Sequence, residues 1–263
     1  MSPSERTTVR FIGVDSCVPE QGQETACELL NDDVLVDTGW NAVMHMRRFG
    51  WDPLAISHVF ITHCHHDHYL GVAPLIFYRA MLAKQEKVRE PLFIVGPRTE
   101  IGFVVEGALN YLQTNRYDDV AGRVEVVALR PGEGYETERF QVKTAQAIHP
   151  TVALCYRFDD KQSGASVVIT GDTAYYEPLG RFAAGADVLI HDASAGATRR
   201  DPLTAYGHSG ALDAAKIAQE ARPKRLYLVH CSETMLVDAL GVARNMYRET
   251  YVPRQGEVVE LPL

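Results

Sequence analysis

The run THCHHDHYLG, residues 62–71, gathers four histidines and an aspartate directly behind the apolar stretch Val59, Phe60 and Ile61. Neutral imidazole is the commonest side-chain ligand for a borderline metal ion, so the clustering points to metal chemistry. On an extended or tightly turning backbone His63 and His65 point the same way, whereas Asp67 and His68 begin the following turn and helix and face elsewhere. That geometry suits two ions better than one. Histidine binds zinc at about 2.0–2.1 Å, and a catalytic site keeps a coordination position open for water, so a single ion would not use all of these groups.

Outward from this run, strand-like stretches rich in Val, Ile, Phe and Leu recur: VRFIGV, DVLVDTG, HVFITH, LFIVGP, RVEVVAL, RFQVKTAQAIH, SVVITGD, ADVLIHDAS and RLYLVHC. Between several of them, NAVMHMRRF, VAPLIFYRAMLAKQ, IGFVVEGALNYLQ, ALDAAKIAQEA and MLVDALGVARNMYRE carry apolar residues at helical spacing. Interspersed strands and helices predict a layered α/β architecture, and no linker rich in Pro, Gly or Ser divides residues 1–263, which are expected to form one domain. The polar residues fall in a pattern. Asp37, His63, Asp172, His191 with Asp192, and His230 all end apolar strand runs, and strand ends share a rim where loops converge side chains without breaking the ladder. Further ligands are therefore expected from His149, Asp172 and His230. A carboxylate that bridges two cations offsets their repulsion, and Asp172 is the candidate bridge.

Composition narrows the classes. Lys and Arg total 26 against 34 Asp and Glu, a net charge of -8, which does not suggest a broad nucleic-acid-binding surface. The start MSPSERTTVRFIG lacks an apolar leader, and no later apolar run reaches membrane-spanning length, so a cytoplasmic protein with no membrane partner is expected. Five scattered cysteines without a CxxC pair argue against disulfides and thiolate zinc knuckles. Cys64 and Cys231 adjoin candidate ligands but are read as small fillers. No glycine array supports a nucleotide cradle.

With these residues assembled, the chain resembles the metallo-β-lactamase superfamily: THxHxDH, the strand-ending aspartate of LVDTG, a lone histidine, a GD and a late histidine. The resemblance covers nearly the whole chain and implies a four-layer αβ/βα sandwich with two divalent metal ions. It assigns His63, His65 and His149 to one ion, and Asp67, His68 and His230 to the other, with Asp172 bridging. Asp37 would be a structural, loop-fixing carboxylate. VLIHDAS at 188–194 and GHSGA at 207–211 resemble paired motifs of the ribonuclease Z-like branch, in which an acidic residue supports a histidine; here these are Asp192 and His208, with His191 packed behind. Asp192 stands where that branch has glutamate, and Gly210 where it has threonine. The stretch from Phe140 to Phe158 is also similar to that branch. Ribonuclease Z enzymes insert a long arm that grips transfer RNA, but only a short run joins His149 to Asp172, which with the acidic composition argues against transfer RNA as partner.

The implied chemistry is hydrolysis of a small phosphodiester, such as a cyclic nucleotide or other cyclic phosphate, by a hydroxide bridging the two ions. Metal binding lowers the pKa of water from 15.7 to about 7. Asp67 would ligate and orient that water, and His208, steadied by Asp192, would stabilise the attacked group or protonate the leaving oxygen. Zinc is the first expectation for the metal, with manganese or iron as alternatives. A lactonase, arylsulfatase or phosphotriesterase would use the same site, and a catalytically silent ligand-binding protein is the reading from another class. Simpler readings stand beside several residues: a lone His149 or His230 is more often a core imidazole, Asp172 fits a turn, and Ser209 fits a helix cap. His45, His58 and His66 are read as packing or solvent contacts, and Asp15 as part of a turn. Arg79, Arg98, Arg116, Arg157 and Arg199 are candidate phosphate clamps, Tyr69, Phe77, Tyr78 and Tyr111 candidate pocket walls, and the helix around Ala108 to Leu112 a candidate homodimer face.

Overall fold

A computed structural model describes residues 6–83, 85, 86, 88, 90–117, 119–198 and 206–262. Two seven-stranded mixed sheets face one another. The first contains β1 (Thr7–Gly13), β2 (Cys27–Leu30), β3 (Val34–Val36), β4 (His58–Phe60), β5 (Leu92–Pro97), β6 (Val124–Leu129) and β14 (Val258–Leu261), in the order β14-β1-β2-β3-β4-β5-β6. The second contains β7 (Gly134–Glu136), β8 (Phe140–Gln146), β9 (Leu154–Asp160), β10 (Ser166–Ile169), β11 (Val188–Asp192), β12 (Arg225–Val229) and β13 (Thr250–Tyr251), in the order β13-β12-β11-β10-β9-β8-β7.

Alternation along the strands builds the central layer. Phe11, Phe60, Tyr156, Phe158 and Tyr227 meet between the sheets, Phe60 edge-on to Phe158 with ring centroids 5.1 Å apart. Each such side chain contributes about 1.5–3 kcal/mol when fully buried. The opposite faces are covered by helices. On the first sheet lie α1 (Ala42–Arg48), α2 (His66–Tyr69), α3 (Val72–Leu82) and α4 (Ile101–Tyr111), with Met46, Leu75, Ile76 and Ile101 packed onto Leu35, Val59 and Ile94. On the second lie α5 (Pro178–Phe182), α6 (Ala211–Ala221) and α7 (Glu233–Met246), whose alanines Ala214, Ala218, Ala239 and Ala243 allow close approach. The result is the four-layer αβ/βα sandwich.

The nine strand runs and five helical runs seen in the sequence are all present, although the run at 72–85 stops being helical at Leu82 and the last helix begins at Glu233. The strands that the pattern did not flag are short, as β7 and β13 are, or interrupted by charge, as Glu28 interrupts β2 and Arg157 interrupts β9. Strands β3 to β6 run parallel, as do β10 to β13, so each set presents its C-terminal ends on one side. Among the described residues no helix is long and apolar enough to cross a membrane.

Candidate metal centre

Six segments deliver the rim residues. Asp37 follows β3, His63 follows β4 and is bridged to Ala153, and His149 lies between β8 and β9. Asp172 follows β10, Asp192 ends β11 and His230 follows β12. The short helix α2 turns Asp67 and His68 inward while leaving His66 in solvent. Asp37 and His230 both adopt left-handed backbone, with φ of 55° and 62°, a costly conformation for non-glycine residues that clusters at functional sites.

The structure brings His63, His65 and His149 into one group and Asp67, His68, Asp172 and His230 into another, each with ligand atoms within 4.8 Å of one another. One oxygen, Asp172 Oδ2, lies 3.7 Å from His63 Nε2, 3.4 Å from His68 Nε2 and 3.5 Å from His230 Nε2, so it stands between the groups. Asp67 Oδ2 lies 3.3 Å from His68 Nε2 and 3.2 Å from His230 Nε2. Ligands about 2.0–2.1 Å from a tetrahedral ion are spaced by about 3.4 Å, which these separations match. His63 Nε2 and His68 Nε2 are buried with no hydrogen-bond partner, an expensive condition for an imidazole unless a ligand satisfies it. The donor set and its orphaned nitrogens thus fit two divalent ions.

Surrounding groups select the tautomers. His68 Nδ1 donates to Asp37 Oδ2 at 2.8 Å, which leaves Nε2 free to ligate, and the same carboxylate accepts from the Thr62 amide and hydroxyl. Asp37 therefore fixes both a candidate ligand and the loop that carries His63. His149 Nδ1 donates to the Gly207 carbonyl at 2.9 Å, leaving its Nε2 3.0 Å from His65 Nδ1. Position 207 must be glycine: φ is +59°, and a Cβ there would sit 2.7 Å from His149 Cα.

Burial opposes the cations of His68 and His230, yet Asp172 and Asp37 hold His68 well above the ordinary histidine value, and Asp172 and Asp67 raise His230 to about 9. A metal at the second group would therefore displace protons from both rings. Burial is the largest influence on Asp67 and opposes its charge, yet hydrogen bonds and charge from His230 and His68 hold its carboxyl well below the usual range. Burial, with neighbouring imidazoles, pushes His63 well below the ordinary histidine value, so it is neutral and able to ligate. His208 Nδ1 lies 3.1 Å from Asp192 Oδ2 and 3.7 Å from Asp172 Oδ2, and its ring stacks 5.6 Å from that of His230. Burial works against its cation, but Asp192 and then Asp172 raise its pKa above the usual value. The shorter side chain of Asp192 still reaches His208, and it also accepts from the Ser209 and Thr173 amides. His191 is buried behind it and donates to the Asp192 carbonyl.

Other expectations change. Ser209 does not cap α6: its hydroxyl donates to the Thr173 carbonyl, Gly210 occupies the cap position, and Asp213 accepts from the Gly210 amide. Burial raises the thiols of Cys64 and Cys231 to about 12 and about 11, and neither joins a ligand group. Arg79 is buried and donates to the carbonyls of Leu54 and Ile56, and Arg157 pairs with Asp159, so both brace the fold and neither clamps phosphate. Arg116 donates to Gln113, Arg98 is exposed, and Arg199 lies outside the described residues. Tyr69 and Tyr111 line a groove of about 820 Å³ with Trp40, Cys64, Phe103 and Thr151, whereas Phe77 and Tyr78 do not. Ala108 and Leu112 pack against the core, whereas Asn110 and Tyr111 of that stretch are exposed. The sequence reading missed Glu28, a fully buried acid behind the ligands whose only signal was a charge inside an apolar strand.

Residues 32–231 match the family described as the beta-lactamase superfamily domain. The chain belongs to the metallo-β-lactamase superfamily. It is 31% identical to a ribonuclease Z of Shouchella clausii over 277 positions, covering 85% of this chain and 86% of that one. A ribonuclease Z of Thermoplasma volcanium is 28% identical over 269 positions, covering 84% and 86%. The metallo-β-lactamase fold protein YhfI from Bacillus subtilis superimposes with a TM-score of 0.81 at 24% identity, covering 97% of this chain and 99% of that one. This superfamily member is a metal-dependent hydrolase of the ribonuclease Z-like branch with a two-ion donor set. The relatives' shared name lends no support to the expectation that transfer RNA is not a partner.

Proposed function

We propose that this hydrolase cleaves small phosphodiesters, cyclic phosphates among them, and that zinc fills both positions. The observation that carries the reading is His208, a partly exposed imidazole fixed by Asp192 beside the carboxylate that joins the two ligand groups. When bound, two divalent ions activate water and stabilise the negative charge that grows on a phosphoryl oxygen. The chain's own groups do the rest. Asp67 orients the attacking water. His208 holds a proton on the side facing the substrate and gives it to the departing alkoxide, while Asp192 keeps the ring aimed and offsets the charge of the imidazolium.

Two features favour a small substrate. The run between His149 and Asp172 is spent on β9, a tight turn and β10, both paired inside the sheet, so no arm projects from it. Against the Shouchella relative, 85% of 263 residues fills about 224 of 277 aligned positions, leaving about 53 without a counterpart here. The groove beside Cys64 and Tyr69 has a volume suited to a small molecule with an apolar or aromatic substituent.

Purified protein supplied with zinc or manganese tests this on bis(p-nitrophenyl) phosphate, cyclic nucleotides, a lactone, an aryl sulfate, a phosphotriester and precursor transfer RNA. Turnover of diesters is expected. Inert diesters beside an active lactone or sulfate would overturn the substrate class, and faster cleavage of precursor RNA than of any small diester would overturn the size.

A further inference from the structure

Glu28 sits in the middle of β2, paired between Phe11 and Val36, and only 2% of its surface is exposed. Its Oε1 has no hydrogen-bond partner. A carboxyl in an apolar interlayer is costly unless something satisfies it, and a valine or leucine would fill the same strand position without that penalty. The side chain lines a small enclosed cavity with Asp37, His68, Asp172, Val229 and His230. That cavity offers about 10 Å³ to the centre of a water molecule, about enough for one.

The other side of the cavity has a matching deficiency. His230 presents Nε2 to Asp67 and Asp172, at 3.2 Å and 3.5 Å, so Nε2 is the atom on the ion side. Its Nδ1 is buried with no hydrogen-bond partner. The equivalent nitrogens of His68 and His149 are held by Asp37 and by the Gly207 carbonyl. A ligating imidazole almost always donates its second N–H to an acceptor, which fixes the ring and strengthens the ligand. His230 lacks that direct partner.

We infer that Glu28 is the positioning residue for His230: through one water in the cavity its carboxyl accepts the hydrogen bond from Nδ1 and keeps Nε2 turned toward the ion. The assignment rests on the two-ion reading of the site. Its consequence is that a residue on the far sheet, with no contact to substrate, sets the affinity of one ion and leaves the other alone.

Glu28→Leu removes the acceptor at similar volume, and Glu28→Gln keeps an acceptor oxygen. Zinc affinities of full-length wild type and both variants are measured by competition with a chromogenic chelator. The expected result is one ion bound about 10–100-fold more weakly in Glu28→Leu, the other unchanged, and Glu28→Gln close to wild type. Proton NMR of the zinc-loaded protein supplies a readout that activity does not: an exchange-protected imidazole N–H resonance that shifts in Glu28→Gln and is lost in Glu28→Leu. Wild-type affinity for both ions in a folded Glu28→Leu protein would overturn the inference. If that variant does not fold, an unmoved N–H resonance in Glu28→Gln overturns it equally. Wild type that binds fewer than two zinc ions refutes the underlying two-ion reading, whatever the variants do.

Discussion

The two ligand groups differ in burial and in charge. His63, His65 and His149 form an all-nitrogen set in which only His63 is buried, whereas Asp67, His68, Asp172 and His230 are all buried and include two carboxylates. An ion held by the second set would be neutralised and shielded from solvent, and one held by the first would keep more of its charge and its access. The first is therefore the side suited to meet an anionic substrate and the second the side suited to anchor the centre. Only Asp172 is shared, through a single oxygen that approaches both sets.

Breaking that shared group is the severest test. Asp172→Asn removes the charge that both sets use, and diester kcat/KM should fall by at least about 10²–10³-fold. Elemental analysis should show the zinc content falling below two per chain. Two retained ions with full turnover would mean that the sets do not depend on a common carboxylate.

His208→Ala sharpens the comparison on the open side. With the proton donor gone, alkyl and cyclic diesters should lose about 10²–10⁴-fold in kcat. Diesters with a p-nitrophenolate leaving group, which departs without a proton, should lose much less, and metal content should stay at two. A uniform loss across leaving groups would assign His208 to charge stabilisation and remove it from proton transfer.

The sequence exposed the first layer of this site and hid the second. The candidate ligands were legible because His63, His149, Asp172 and His230 follow strand runs, because His65, Asp67 and His68 crowd the turn directly behind one of them, and because imidazole and carboxylate are the residue types that hold divalent ions. Pairing of Asp192 with His208 came through the resemblance, and the geometry bears on it with a 3.1 Å separation. What stayed hidden acts through backbone or across sheets. Gly207 holds His149 with a carbonyl that any residue possesses, and Glu28 reaches the site from a strand that shares no motif with it. Strands β7 and β13 were invisible because three and two residues are too few to show a period.

Graded removal of metal tests the difference in burial itself. A chelator should strip the ion of His63, His65 and His149 first and the other more slowly, as two resolved phases. Asp37→Asn should narrow the gap. An asparagine oxygen can still accept from Thr62, but its amide cannot also accept from His68 Nδ1, so the buried position should bind about 10–100-fold more weakly. Two phases unchanged by this variant would show that Asp37 serves the loop alone.

The smallest effect lies outside both sets, in the groove that the open side adjoins. Phe103 and Tyr111 line it and are 76% and 79% exposed, an arrangement that a monomeric helix face does not need. If an aromatic leaving group docks there, Phe103→Ala and Tyr111→Ala should each raise KM for aryl diesters roughly 2–10-fold, the worth of one aromatic contact. Turnover number and metal content should not change, and cyclic phosphates without an aryl group should be less affected. Phe77→Ala is the control, since Phe77 is exposed but lines no part of the groove. Light scattering separates the competing use of this face: an unchanged KM together with a fall from dimer to monomer mass in Tyr111→Ala would make it a contact between copies, and the open ligand set would then face a groove that substrate does not enter.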